Sequence, residues 1–301
     1  MTKKTYIKNF EAALMKLIEK LRHYASTTSG EWTIKGFIDI YKNVYSLSSD
    51  TKLISKILEL HILPEIIEFA EENNYEIILA EHQNWYPDIT FIEKTNPAIK
   101  FALDIKTTYR KNGKVAGFTL GSHGAYFQKR DSAKNIQFPY NEYTGHYVLG
   151  IIYTRNVSER ELTTSKVYVI EEMINRNENS SREFSRHFIR VPSLKDIQSV
   201  IKDLDFFAAP KWKIASDKQG SGNTANIGSI KDIEDLKKGR GVFSKLGEKW
   251  FDEYWMNYGK LLMMKNGKPK KIDNIWDFLE FKGRADLFDQ VVAKEAKRRR
   301  K

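Results

Sequence analysis

The chain contains no cysteine. That removes disulfides, thiolate zinc sites and cysteine nucleophiles together, and it agrees with a cytoplasmic location. No run approaches the ~18 consecutive apolar residues of a membrane-spanning helix. An apolar leader is missing too: residues 8–24 alternate Lys/Glu with Leu/Ile at helical spacing, so they do not read as a signal peptide. No internal repeat is visible. The expectation is a soluble, cytoplasmic protein without membrane contact.

Aromatic residues are plentiful, with 17 Phe, 15 Tyr and 6 Trp, and 41% of the 301 residues are hydrophobic. Such a composition excludes a disordered chain and supplies the core of one large domain spanning residues 1–301. Net charge is +11, of which the last eight residues, KEAKRRRK, carry +5. A basic protein with a basic tail at 294–301 favours polyanions, nucleic acid first among them. A solvated run that aids solubility fits the same residues.

Phe10, Ala13, Leu14, Leu17, Ile18 and Leu21 follow helical spacing. "WTIKGFIDIYKNVYSL" (32–47) reads as a β-hairpin, and Ser49 or Asp50 can cap a helix running to about residue 72, with Pro64 kinking or splitting it. "NIQFPYNEYTG" gives a helix or turn before a buried strand at Tyr147–Tyr153. Residues 171–210 are polar and weakly periodic, which suggests an expanded connection. "GEKWFDEYWMNYGKLLMMK" and "NIWDFLEF" read as closing aromatic helices. The order predicts an α/β protein with a central mixed sheet flanked by helices.

The chemistry concentrates in "NWYPDITFIEKTNPAIKFALDIKTTY" (84–109). Along a strand through 100–108, Phe101, Leu103 and Ile105 share one buried face, while Asp104 and Lys106 share the other. "EKTNPA" (93–98) turns the chain back, so that Asp88 converges on Asp104 if the strands pair. Two adjacent carboxylates repel, and a hard divalent cation such as Mg²⁺ resolves the conflict. Lys106 would then orient the attacking water. The same residues also fit a plain ion pair on a strand edge. Glu59, in the preceding helix, is either a further metal ligand or a surface acid. "GSGNTANIG" (220–228) lacks the GK[ST] ending of a nucleotide loop. It fits a base-reading loop, in which Gly220 and Gly222 permit close approach and Asn223 pairs with adenine, or else a flexible turn.

"SSDTK", "NWYPDIT", "ALDIKTTY", "FTLG", "IIYTR", "GSGNTANIGSI" and "FKGR" occur in one order over most of residues 36–284. Together they resemble the EcoRV family of type II restriction endonucleases, within the PD-(D/E)xK nuclease superfamily. The resemblance implies the restriction-endonuclease-like fold, with Asp88 and Asp104 binding Mg²⁺, Lys106 catalytic and Glu59 supporting the metal. It makes Gly220, Gly222, Asn223, Thr224 and Asn226 base-recognition residues. Gln83 and Asn84 would meet the minor groove, and Thr107 and Thr108 the DNA backbone. It further implies a homodimer on double-stranded DNA, a dimerisation lobe from 32–47 and 164–170, a cognate DNA methyltransferase, and the target GATATC cut to blunt ends with 5′-phosphates. Ala225 stands where the family has Thr, His82 where it has Gln, and Trp85 where it has His. A nuclease of this fold without site specificity, or a DNA-binding module without activity, are the competing readings.

Overall fold

The computed structural model describes residues 1–82, 84–156, 166–173, 188–220, 225–265 and 267–300. The chain begins with helix α1 (Lys3–Ala25), strands β1 (Gly36–Ile38) and β2 (Asn43–Ser46) and helix α2 (Thr51–Glu72). Strands β3 (Tyr75–Leu79), β4 (Ile89–Glu93), β5 (Lys100–Lys111), β6 (Lys114–Val115), β7 (Thr119–Ser122), β8 (Gly145–Arg155), β9 (Val167–Ile170), β10 (Phe188–Val191) and β11 (Ile201–Pro210) follow. Then come α3 (Lys211–Ile214), β12 (Ala215–Gln219), β13 (Asn226–Ser229), α4 (Ile233–Lys237) and α5 (Glu248–Asn257). The chain closes with β14 (Leu262–Lys265), β15 (Lys268–Lys271), α6 (Ile275–Phe281) and α7 (Lys294–Arg300). The class is mixed α/β, as the sequence predicts.

Two compact units divide the chain. The larger comprises Met1–Ile18, Ile66–Ile151 and Phe206–Lys301. Its main sheet has the strand order β11-β8-β5-β4-β3, with β6 folded back on β5. Phe10 of α1 lies flat on Phe101 of β5, ring centroids 4.1 Å apart, and Phe69, Tyr75, Phe91 and Tyr147 close around it. The opposite face of β5 is covered as well. Ala102 and Asp104 are buried, and Thr90, the register partner of Ala102, exchanges a 2.9 Å hydrogen bond with the Tyr143 hydroxyl. Strict alternation along β5 therefore predicts only half of what is buried, because aromatic side chains from 126–146 roof the polar face.

The smaller unit comprises Glu19–Glu65 and Ile152–Asp205. The predicted hairpin forms: β1 and β2 pair antiparallel, Phe37 opposite Tyr45. They continue into a four-stranded sheet of order β1-β2-β9-β10 over a core of Val44, Ile170 and Ile197. Asp50 caps α2, its carboxylate accepting from the amides of Lys52 and Leu53 at 3.0 Å each. The helix is continuous through Pro64.

Three expectations are corrected. Residues 201–210 do not belong to a polar connection but form β11, burying Leu204, Phe206, Phe207 and Ala209. Asp203 at φ 52 interrupts the alternation that would have revealed the strand. Leu262–Lys265 is not the end of a helix. It pairs with Lys268–Lys271 as a hairpin, since Tyr258 and Gly259 end α5. The basic tail is not a loose run: it is α7, with Ala296 fully buried and its carbonyl accepting from the Trp276 indole at 3.2 Å.

Candidate active site

The antiparallel register of β4 on β5 decides the site. Ile89 faces Leu103, so one step earlier Asp88 faces Asp104. The Ile105 amide donates to Asp88 Oδ2 at 2.6 Å, which fixes that carboxylate on the edge of β5. Lys106, two residues beyond Asp104 on the same face, sets Nζ 2.7 Å from Asp104 Oδ2 and 4.0 Å from Asp88 Oδ2. The two acids and the lysine singled out in the sequence are thus brought together. Asp104 lies at the floor with 7% of its side chain exposed, while Asp88 at 32% and Lys106 at 25% form the rim.

Burial, and next the charge of Asp104, push the Asp88 carboxyl up from its ordinary range. Lys106 and the Ile105 amide oppose that shift without cancelling it. The pair therefore has more negative charge than Lys106 alone balances. Both donors are hard oxygens on adjacent strands, and one remains open to solvent, which is the donor set a divalent cation such as Mg²⁺ takes. No group of three or more His, Asp or Glu side chains placed to hold a metal occurs among the described residues.

Glu59 belongs to the smaller unit. Its carboxylate pairs with Lys56 Nζ at 3.0 Å and accepts from the Ser55 hydroxyl at 3.5 Å, as a surface acid would.

An aromatic layer behind the acids was not apparent from the sequence. Tyr86, Tyr126 and Tyr140 stack on one another, and His146 lies 3.7 Å from the Tyr140 ring. The Tyr140 carbonyl can only accept, so His146 Nε2 carries the proton and donates to it at 3.2 Å. Nδ1 then accepts from the Tyr86 hydroxyl at 3.0 Å. Burial holds His146 well below its usual range, keeping it neutral. Lys211 enters the same layer. Its Nζ lies 4.9 Å from the Tyr86 ring, 5.5 Å from Tyr140, 5.6 Å from Phe127 and 5.8 Å from Tyr126. It has no hydrogen-bond partner among the described residues and is 1% exposed. Burial lowers it to about 7, against the pull of Asp104. "KWKI" carries no local signal of this, since the cage comes from residues 71 or more positions away.

Of the predicted recognition residues, Gly220 and Asn226 flank a strand pair. β12 and β13 pair antiparallel, and β13 also pairs with β7. Gly220 closes the turn by donating to the Asn226 carbonyl at 3.1 Å. A Cβ on Gly220 would fall 2.6 Å from Thr119 Cγ2, so the glycine is required by packing inside the protein. Asn226, half-buried, begins β13. Gly222, Asn223 and Thr224 lie outside the described residues, as does Gln83. Asn84 is exposed, in a turn where Trp85 packs edge-on to His82. Thr107 is half-buried, whereas Thr108 turns inward and accepts from the Gly117 amide at 3.2 Å.

The model of a family described as restriction endonuclease EcoRV matches residues 28–181 and 165–283. The type II restriction enzyme EcoRV of Escherichia coli is 34% identical to this chain over 257 residues, covering 84% of this chain and 93% of that enzyme. On both comparisons the chain belongs to the EcoRV family of type II restriction endonucleases, site-specific deoxyribonucleases that are generally metal-dependent.

Proposed function

We propose that the protein cleaves both strands of duplex DNA at GATATC, at its centre, leaving blunt ends with 5′-phosphates, and that Mg²⁺ held by Asp88 and Asp104 is the cofactor. The observation that carries the reading is the opposition of Asp88 and Asp104 across β4 and β5 with Lys106 2.7 Å from one of them. When bound, the metal would activate water and neutralise the departing 3′-oxygen. Lys106, a cation beside both carboxylates, orients the attacking water and donates to the phosphate as negative charge builds on it. Water oxygen forms the new bond to phosphorus, the bond to the 3′-oxygen breaks, and the phosphate stays on the 5′ side. Glu59 is a supporting acid on the resemblance alone.

Gly222, Asn223, Thr224 and Asn226 read base edges, with Gly220 supporting them from the end of β12. Gln83 and Asn84 reach the minor groove, and Thr107 the backbone, with Thr108 bracing the strand beneath it. The protein acts as a homodimer, through a lobe that includes the β1–β2 hairpin and β9. A cytoplasmic enzyme of this specificity needs a cognate methyltransferase to protect the host's own DNA.

The test is digestion of two supercoiled plasmids with Mg²⁺, one carrying a single GATATC and one none, with sequencing of the ends. Blunt ends at the centre of the site are expected. Ends at another short palindrome would reject the target, and Ala225 would be the first residue to examine. Even cutting of both plasmids would reject site specificity. In parallel, Asp104→Ala is expected to cut at least ~10³-fold more slowly, a loss of about 4 kcal/mol in transition-state stabilisation, while binding site-bearing duplex in Ca²⁺. Robust cleavage by that variant would remove the metal assignment.

A further inference from the structure

A second basic feature lies apart from the acidic pair. A cleft of 490 Å³ opens between the 114–119 segment, the β12–β13 hairpin stem and α7. Lys114, Lys218, Lys231, Arg298 and Arg299 line it against the single acid Glu295. Two of these cations are already engaged: Lys218 with Asp273 at 3.0 Å, and Arg299 with the fully buried Asp217. Lys114, Lys231 and Arg298 are exposed and have no carboxylate partner among the described residues. Three such cations facing one carboxylate leave the concavity net positive, which calls for an anion.

The frame around them is rigid. Trp276 and Ala296 anchor α7, Lys294 pairs with Asp232 at 3.1 Å, and the Lys231 amide donates to Glu295. The helix lies beyond the family match, which ends at residue 283.

Position selects the anion. Gln219 and Gly220, at the root of the base-reading hairpin, form part of the cleft wall. A hairpin tip in a major groove ~12 Å wide has a phosphate strand on either side of it. Cations at its stem then meet backbone rather than bases. The geometry points to a further DNA-binding site: Lys114, Lys231 and Arg298, presented by the core and by α7, grip the phosphate backbone of duplex DNA flanking the recognised sequence. This rests on the DNA-cleavage reading above. It extends the footprint beyond what the family core supplies.

The experiment uses the full chain in Ca²⁺ and compares wild type with a K114A/K231A/R298A variant. The ligands are a ~30-bp duplex and one trimmed to the recognised sequence with two base pairs on each side, each titrated across a range of NaCl. All three side chains are exposed and without a carboxylate partner among the described residues, so the melting temperature is expected to hold. R298E alone provides a second variant. Two copies bind the duplex, so losing two or three phosphate contacts per subunit lowers the slope of log K against log salt by about 4–5. The expected result is that decrease on the long duplex, with affinity about 10- to 100-fold weaker at low salt, and little change on the short one. An unchanged slope on the long duplex would overturn the inference while leaving the nuclease reading intact. Equal loss on both duplexes would overturn the flanking position. Restoration of the variant's behaviour in wild type by millimolar inorganic phosphate or a mononucleotide would make the cleft a small-anion pocket instead. Wild type that neither binds nor cuts duplex DNA would instead defeat the nuclease reading.

Discussion

Lys211 shows how competing single-residue terms are weighed. A cation over aromatic rings gains ~2 kcal/mol for a desolvated contact, and ring faces share that gain imperfectly. Removing an ammonium from water without a hydrogen-bond partner costs several kcal/mol. Burial wins, and Lys211 falls to about 7. The unfolded chain carries an ordinary lysine near 10.4. Between about 7 and that value the unfolded state binds more protons, so stability rises with pH through the window. Below about 7 both states are protonated and the penalty is complete. Lys211→Met keeps the volume and removes the charge. It should therefore stabilise the protein by a few kcal/mol, on the order of 2–4, at pH 6, and by much less at pH 10. Chemical denaturation at the two values measures the gap. A gap that does not narrow with pH would show that Lys211 is charged and compensated throughout. The layer also touches function: Tyr86 in the cage is two residues from Asp88, and Asp104 acts on the Lys211 charge.

Elements that carry their own pattern were legible. The spacing of Phe10, Leu14, Leu17 and Leu21 announces α1, and Asp50 announces the start of α2. "PDITFIE…ALDIK" contains both strands and the turn between them, so the convergence of Asp88 with Asp104 follows once those strands pair, as they do. What escaped depends on partners distant in sequence. β11 is hidden by Asp203 and Asp205, and is recognisable only beside β8. α7 looks solvated because Lys and Arg outnumber its one buried anchor, whose partner Trp276 lies 20 residues back. Gly220 suggested close approach to a ligand, and the neighbour turned out to be Thr119. That gives an element-scale prediction. Gly220→Ala forces Cβ into Thr119 Cγ2 and to 3.2 Å from the Gly228 Cα, which displaces the hairpin stem. Discrimination between the cognate site and single-base variants should fall about tenfold, the equivalent of ~1.4 kcal/mol. Thr119→Ser deletes the colliding methyl and should restore part of it in the double variant. If G220A discriminates as well as wild type, the stem does not set the position of the tip.

At the scale of the whole molecule, the proposed function asks the acidic pair found among the described residues to answer for a reaction on two strands. Asp88, Asp104 and Lys106 form a single constellation in a 35.1 kDa chain, and a palindromic duplex presents the same phosphate twice with opposite polarity. Two copies related by a twofold axis match that symmetry. The smaller unit has a surface suited to joining them. β1 lies at the edge of its sheet, and Phe37, Ile38, Ile40 and Tyr41 are all more than half exposed, with Ile40 at 87%. A flat apolar edge of this kind invites pairing with another chain unless it is covered. Ile38→Asp with Ile40→Asp places like charges across a twofold contact while leaving the buried Val44, Ile170 and Ile197 untouched. Sedimentation should show wild type at about twice 35.1 kDa and the double variant near the single-chain mass. Supercoiled plasmid cut by the variant should accumulate as nicked circles before linear product appears, because each strand must wait for a separate encounter. A variant that sediments as wild type and linearises DNA without a nicked intermediate would move the dimer contact elsewhere on the molecule.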